Sequence, residues 1–387
     1  MKHTLLFYIF ICLFISQSVA QIKLGDERTD VYLPLIENKR VALFSNHTGI
    51  AGDQHILDVL LQNHIHVTAI FSPEHGFRGT ADAGEHVNSS VETKTGVPIL
   101  SLYDGKKVGP SSDSMNKFDV LVIDIQDVGL RFYTYYITMI QLMSSCAEKN
   151  KEVILLDRPN PNGHYVDGPI LDMTLKSGVG GLPIPIVHGM TLGELATMAN
   201  AEGWINNKKN CCKLTVIPCL NYTHHTFYDL PVPPSPNLPN MTAIYLYPSL
   251  CYFEATDVSL GRGTDKPFQQ YGHPNMRGYS YCFTVTSRSG AKNPPQLDKL
   301  CWGVDLSGLS KEELRNKHID LSYLIDAYTR LQQGNKFFTN FFEKLIGKKD
   351  IRKMIEDGLT PQQIQATWKE DVEKFKIQRK PYLIYPE

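Results

Sequence analysis

Apolar positions in the first half of the chain fall in short runs, and these alternate with stretches of helical spacing. Residues 40–45 (RVALFS), 66–71 (HVTAIF), 97–102 (VPILSL), 118–125 (FDVLVIDI) and 152–156 (EVILL) are rich in Val, Ile and Leu and predict strands. Between them, residues 54–62 place Ile56, Leu57, Leu60 and Leu61 on one helical face. Residues 135–149 predict a second helix, and Thr191 opens a third that runs through Trp204. Glu194, three residues after Thr191, has the spacing of a capping box, so its plain role is at the helix start. The alternation predicts an α/β protein with a Rossmann-like, mostly parallel sheet covered on both faces.

The pattern changes in the second half. Residues 228–248 hold Pro231, Pro233, Pro234, Pro236 and Pro239, a density that breaks regular structure and marks a linker or a rigid loop near a site. Residues 321–331, 337–345 and 351–356 have helical spacing, and Thr360-Pro361 starts one more helix with Thr360 as its cap. A smaller α+β domain is therefore expected over residues 236–387, after a Rossmann-like domain over 21–235. No internal repeat or low-complexity tract is present.

The first twenty residues stand apart. An apolar run from Leu5 to Ile15 follows Met1-Lys2-His3, and Ser18-Val19-Ala20 supplies the small residues of a cleavage site. The run is shorter than the roughly 20 residues that a spanning helix requires. Residues 1–20 are expected to be a signal peptide, without a membrane anchor, and the protein to be periplasmic or secreted. Removing them leaves Cys146, Cys211, Cys212, Cys219, Cys251, Cys282 and Cys301, an odd set with no legible disulfide framework. The balance of 39 Lys+Arg against 40 Asp+Glu excludes a generic basic nucleic-acid binder.

Candidate chemistry concentrates in the loops that follow the predicted strands. These are Asn46-His47-Thr48-Gly49, the run from Ser72 to Gly79 (SPEHGFRG), Tyr103-Asp104-Gly105, the run from Gln126 to Tyr133 (QDVGLRFY) and the run from Asp157 to Gly163 (DRPNPNG). A parallel α/β sheet collects ligands at the carboxyl ends of its strands, so these loops should converge. Asp104, Asn162 and Gly163 are ordinary turn formers. Asp124 is a charge inside an apolar run and requires a partner; Arg131 or Arg158 would serve, in a site or in a structural ion pair. Glu74 lies between Pro73 and His75-Gly76, a rigid entry and a permissive exit that hold a side chain in place. GxSxG, HExxH, GxxxxGK[ST] and GxGxxG are absent, so no nucleotide cofactor is indicated.

SPEHGFRG, residues 124–135 (DIQDVGLRFYTY), 157–160 (DRPN) and 185–195 (PIVHGMTLGEL) resemble the secreted exo-β-N-acetylmuramidases, the NamZ-type glycoside hydrolases. So do residues 234–239 (PSPNLP), 247–254 (YPSLCYFE), 259–268 (SLGRGTDKPF) and 379–385 (RKPYLIY). The resemblance covers nearly the whole chain after the leader and departs at Thr256-Asp257, where the family pattern has Asn after Thr. It implies a Rossmann-like domain joined to a smaller one with the site in the cleft between them. It also implies removal of terminal β-1,4-linked N-acetylmuramic acid (MurNAc) from peptidoglycan fragments, with no nucleotide, and a catalytic Glu that matches Glu74.

Glycoside hydrolysis commonly uses one protonated carboxyl group and one carboxylate. Glu74 is expected as the general acid with His75 orienting it, Asp127 as the second carboxylate, and Glu254 behind it. The lactyl carboxylate of muramic acid calls for a cation; Arg78, Arg131, Arg158 and Arg262 lie in motif loops, with Arg131 and Arg262 the foremost. Tyr133 and Tyr135 would stack on the sugar or pack in the core. Asn46, Asp157, Asn160, His188, Asn237 and Thr264 complete the expected substrate-binding set. Two other classes remain open. A metal-dependent hydrolase would use His47, His75, Asp124, Asp127 and His188, although no HxH or HxxxH pair occurs among them. A noncatalytic cell-wall sugar binder would not need so many acids and arginines.

Overall fold

The computed structural model describes residues 21–73, 77, 90–100, 102, 109–205 and 211–387. In chain order the strands are β1 (Arg40–Ser45), β2 (Ile50–Ala51), β3 (Gln54–His55), β4 (His66–Phe71), β5 (Ser90–Val91), β6 (Pro98–Leu100), β7 (Val120–Asp124), β8 (Glu152–Leu156), β9 (Lys213–Ile217), β10 (Gln270–His273), β11 (Tyr281–Thr284) and β12 (Leu300–Asp305). Seven of them form one sheet in the order β5-β6-β4-β1-β7-β8-β9, parallel throughout except for the β5–β6 edge.

The apolar runs become strands because both sheet faces are covered. In β1, Val41 and Leu43 enter one core while Ala42 and Phe44 enter the other, and β7 divides Val120 and Val122 from Leu121 and Ile123 in the same way. The chain winds outward from β1 through β4 to β6, then crosses back to β7 on the other side of β1. That reversal opens a crevice at the carboxyl ends of β1 and β7, where Ser45 lies beside Asp124.

The expected α/β architecture is the one adopted, with differences at its margins. Gln54 and His55, expected in a helix, instead close the β2–β3 hairpin, and the helix begins at Ile56 with the His55 ring capping it. The strand expected over 97–102 shortens to Pro98–Leu100. The edge strand β9 escapes the apolar pattern because it is largely half-exposed or exposed and reads KLTVI. Within the proline-rich segment, Met241–Leu250 is a helix despite Pro248, started by the Asn240 side chain accepting from the Ala243 amide. The capping boxes at Thr191/Glu194 and Thr360/Gln363 both form.

The C-terminal part carries a three-stranded antiparallel sheet, β10-β12-β11, and helices that include Ser322–Leu331, Phe342–Ile346 and Lys369–Arg379. No gap in packing marks the boundary expected at 235/236. Phe44, Tyr136, Tyr247, Phe268, Phe342 and Trp368 belong to one continuous apolar core. All seven cysteines among the described residues are free. No helix among those residues is long and apolar enough to cross a membrane.

Candidate active site

Three strand-end loops are knitted together at the crevice. The Asn46 side-chain oxygen accepts from the Thr48 amide at 3.0 Å and its hydroxyl at 2.6 Å. The Thr48 hydroxyl oxygen accepts from the Gln126 amide at 3.0 Å. Gln126 Nε2 then donates to the carbonyls of Asp127 and Pro159, at 2.8 and 2.9 Å. These bonds fix the ends of β1, β7 and β8 against one another, using backbone groups that the strands leave unpaired.

The proline-rich loop is drawn over this platform. Tyr133 and Tyr135, with ring centroids 4.6 Å apart, donate their hydroxyls to the Pro234 carbonyl at 2.8 and 3.1 Å. His47 Nε2 lies 2.9 Å from the Pro233 carbonyl. Beyond Tyr133 a run of edge-on aromatics crosses into the C-terminal part: Tyr247 is 6.4 Å from Tyr133 and 4.8 Å from Phe268. The Arg262 guanidinium lies 5.4 Å from the Phe268 ring and pairs with Glu254. Their side chains keep 25% and 21% exposure. Asn46, Tyr133 and Tyr135 thus join through hydrogen bonds, and Arg262 and Glu254 join them through the aromatic run.

Several expected ligands of the sugar are framework instead. Arg131 is fully buried, and its guanidinium donates to the carbonyls of Pro169, Ile184, Leu345 and Ile346 at 2.6–3.1 Å. It clamps the long connection after β8 to the end of helix Phe342–Ile346, which leaves no face for a lactyl carboxylate. Burial pushes its pKa down to about 10. Arg158 is equally enclosed: it bonds Asp124 at 2.6 and 3.1 Å and pairs with Asp26, so Asp124 belongs to a structural ion cluster. Two acids share one guanidinium there. Burial, and then the Asp124 charge, raise the Asp26 pKa well above the carboxylate range.

Asp157 anchors a helix start, accepting from the Thr191 hydroxyl at 2.7 Å, the Gly193 amide at 2.9 Å and the Tyr385 hydroxyl at 2.7 Å. Asn160 donates to the Met190 carbonyl and accepts from the Asn162 amide, both at 2.8 Å. Gly129 packs on that amide with φ at 75°, where any Cβ would collide with it. His188 is buried, accepts from the Met190 amide at 3.2 Å, and is held neutral, its pKa lowered by burial to about 3. Asn237 donates to the Gly290 carbonyl at 2.9 Å, and the Thr264 hydroxyl closes a turn on the Gly261 carbonyl at 2.7 Å. Tyr133 and Tyr135, buried beneath the proline loop, offer no open ring for stacking on a sugar.

Asp127 also departs from expectation. One carboxylate oxygen accepts from the Gly129 amide at 2.7 Å, the other has no hydrogen-bond partner, and the group is buried. Among the described residues it lines a void of about 10 Å³, space for about one water. Burial raises its pKa to about 7, against the pull of the Gly129, Val128 and Tyr136 amides. The bond to the Gly129 amide closes the turn that follows β7. Glu254 keeps 21% of its side chain exposed, whereas Asp127 is buried.

Glu74, His75 and Arg78 lie outside the described residues, as does Asp104. Among the described residues, no three His, Cys, Asp or Glu side chains gather in a way that could hold a metal ion. Of the proposed metal set, His47 faces Pro233, Asp124 pairs with Arg158 and His188 is enclosed. The sequence reading missed Tyr247 and Phe268, although both fall in motif blocks. It also missed the Pro233 and Pro234 carbonyls, for which side-chain patterns carry no signal.

Comparison with known proteins identifies the family. A family model for the N-terminal part of exo-β-N-acetylmuramidase NamZ matches residues 41–242, and one for the C-terminal part matches residues 245–385. The peptidoglycan β-N-acetylmuramidase NamZ of Bacillus subtilis (strain 168) is 37% identical over 373 residues, spanning 92% of this chain and 89% of that protein. Two crystal structures of DUF1343 family proteins from Bacteroides fragilis NCTC 9343 share the fold. One has a TM-score of 0.89 at 62% identity, covering 95% of this chain and 100% of its own. The other has a TM-score of 0.75 at 27% identity, with 94% and 99% covered.

Proposed function

The chain belongs to the exo-β-N-acetylmuramidase NamZ family, and from that premise we infer how its crevice works. It is a glycosidase that releases terminal β-1,4-linked MurNAc from the non-reducing ends of peptidoglycan fragments, in cell-wall turnover and recycling. Glu74 is the general acid, oriented by His75. Glu254 is the second carboxylate, because it is the acid of the expected set that combines motif position with access to solvent.

Arg262, with Arg78, recognises the lactyl carboxylate. The observation that carries this reading is the Glu254–Arg262 pair, set on the aromatic run that leaves the strand ends. A guanidinium paired with an acid can turn to a substrate carboxylate and leave the acid for the reacting centre, provided both stay within reach of water. The protein acts outside the cytoplasm, a reading supported by the apolar run and small residues of 1–20.

The test is incubation of the purified protein with a β-1,4 MurNAc-GlcNAc disaccharide, with and without EDTA, followed by detection of free MurNAc. Release that persists with EDTA is expected, together with a fall of about a hundredfold or more in Glu74→Gln. Absence of release from every muramyl substrate would overturn the reading, and near-normal turnover in Glu74→Gln would remove Glu74 from the mechanism.

A further inference from the structure

A cavity of about 950 Å³ opens elsewhere on the molecule, and none of its lining residues belongs to the crevice. That volume suits a small metabolite. Its base holds two buried arginines, Arg315 and Arg379. Arg379 is paired with Glu387 and donates to the Gly189 carbonyl at 2.6 Å, but its Nε has no partner. Arg315 donates to the His225 carbonyl at 2.6 Å and lies 3.2 Å from the centroid of the Phe227 ring. It forms no ion pair with an acid among the described residues, an uncommon state for an enclosed guanidinium.

His164 lines the cavity as a neutral ring. Its Nε2 is 2.8 Å from the Arg315 carbonyl, so it donates there, and its Nδ1 is buried without a partner. Burial lowers the His164 pKa to about 4, and the charges of Arg315, His318 and His225 press in the same direction. The walls set aromatic rings beside Lys376, Asn316 and the acid Glu312. The Tyr165 ring lies 4.7 Å from both the His164 and His318 rings, and Phe227 is 58% exposed at the rim. A basic base under aromatic rings fits an anionic group attached to a flat or apolar body.

We propose that this cavity is a second binding site, for a small molecule whose carboxylate or phosphate group meets Arg315 while its body rests between Tyr165 and Phe227. The proposal does not rest on the glycosidase reading. The test is titration calorimetry of the full chain with two probes, benzoate for the carboxylate and phenyl phosphate for the phosphate. One site per chain is expected for at least one probe, and the probe that binds identifies the anion class.

Arg315→Gln should weaken that binding about tenfold or more, the loss expected for charge-assisted hydrogen bonds. Phe227→Ala and His318→Ala, both at exposed side chains, should weaken it several-fold, and they carry the test if Arg315→Gln does not fold. Rates of MurNAc release should be unchanged in Phe227→Ala and His318→Ala, which separates this site from the crevice. No binding of either probe up to millimolar concentration would overturn the proposal. So would affinity that is the same in all folded variants.

Discussion

Two arginine–carboxylate assemblies serve this molecule in opposite ways. Arg158 lies under the strand ends with 3% of its side chain exposed, wedged between Asp26 and Asp124, both at 0%. Arg262 lies on the C-terminal part with 25% exposure, paired with Glu254 at 21%. The chemistry of the groups is the same, and burial decides what each can do. Sealed from water, the first holds the amino-terminal segment, β7 and β8 together and cannot exchange partners. The second keeps contact with water, at lower cost in desolvation and with less contribution to the fold.

That contrast is broken most forcefully at Arg158. Arg158→Met leaves two buried acids without their cation, and loss of one member of a buried ion cluster costs about 3–5 kcal/mol. Urea unfolding should show a collapse of stability on that scale, whereas Arg262→Ala should shift the midpoint little. Equal effects at the two sites would dissolve the distinction. On the ligand side, Arg262→Ala should weaken binding of muramyl saccharides about tenfold, and binding of lactyl-free analogues much less. Parallel losses on both would return Arg262 to a structural role.

Tyr133 tests whether the proline loop is framework. Tyr133→Phe removes one of two hydroxyls from the Pro234 carbonyl and should cost about 1 kcal/mol in unfolding free energy. No change would mean that the loop is held by other contacts. A pH-dependent test lies at Asp127, whose pKa is raised by burial from 3.8 to about 7. A folded-state value above the unfolded one means that the native state binds more protons between them. The contribution is therefore complete below 3.8 and is lost as pH rises through 7. Asp127→Asn keeps the acceptor for Gly129 and cannot ionise. Its stability relative to the parent should rise between pH 4 and pH 8 in parallel unfolding titrations, and a constant difference would contradict the burial argument.

The elements that were legible in the sequence are those whose residues face apolar surroundings on both sides. β1, β4 and β8 stand where their runs predicted, and Thr191/Glu194 announced a helix start by its own side chains. β9 and the β2–β3 hairpin were hidden because half-exposed edges and two-residue strands carry no apolar run. The motif loops were also legible as a group, but the division of labour inside them was not. Arg131, Arg158 and Arg262 look alike as letters, and only packing separates the clamp on four carbonyls and the buried cluster from the accessible pair. Asp127 shows the same limit: an Asp after a strand marks the crevice, and only packing shows that it is buried with one oxygen on the Gly129 amide.

The most direct test of this account sets Glu254→Gln beside Asp127→Asn in the same assay of MurNAc release from the MurNAc-GlcNAc disaccharide. With both variants folded, Glu254→Gln should lose about a hundredfold or more in kcat, as removal of a reacting carboxylate does, and Asp127→Asn should stay within about tenfold of the parent. The reverse order would place the chemistry at the buried acid and contradict the assignment of the open pair as the working side of the crevice.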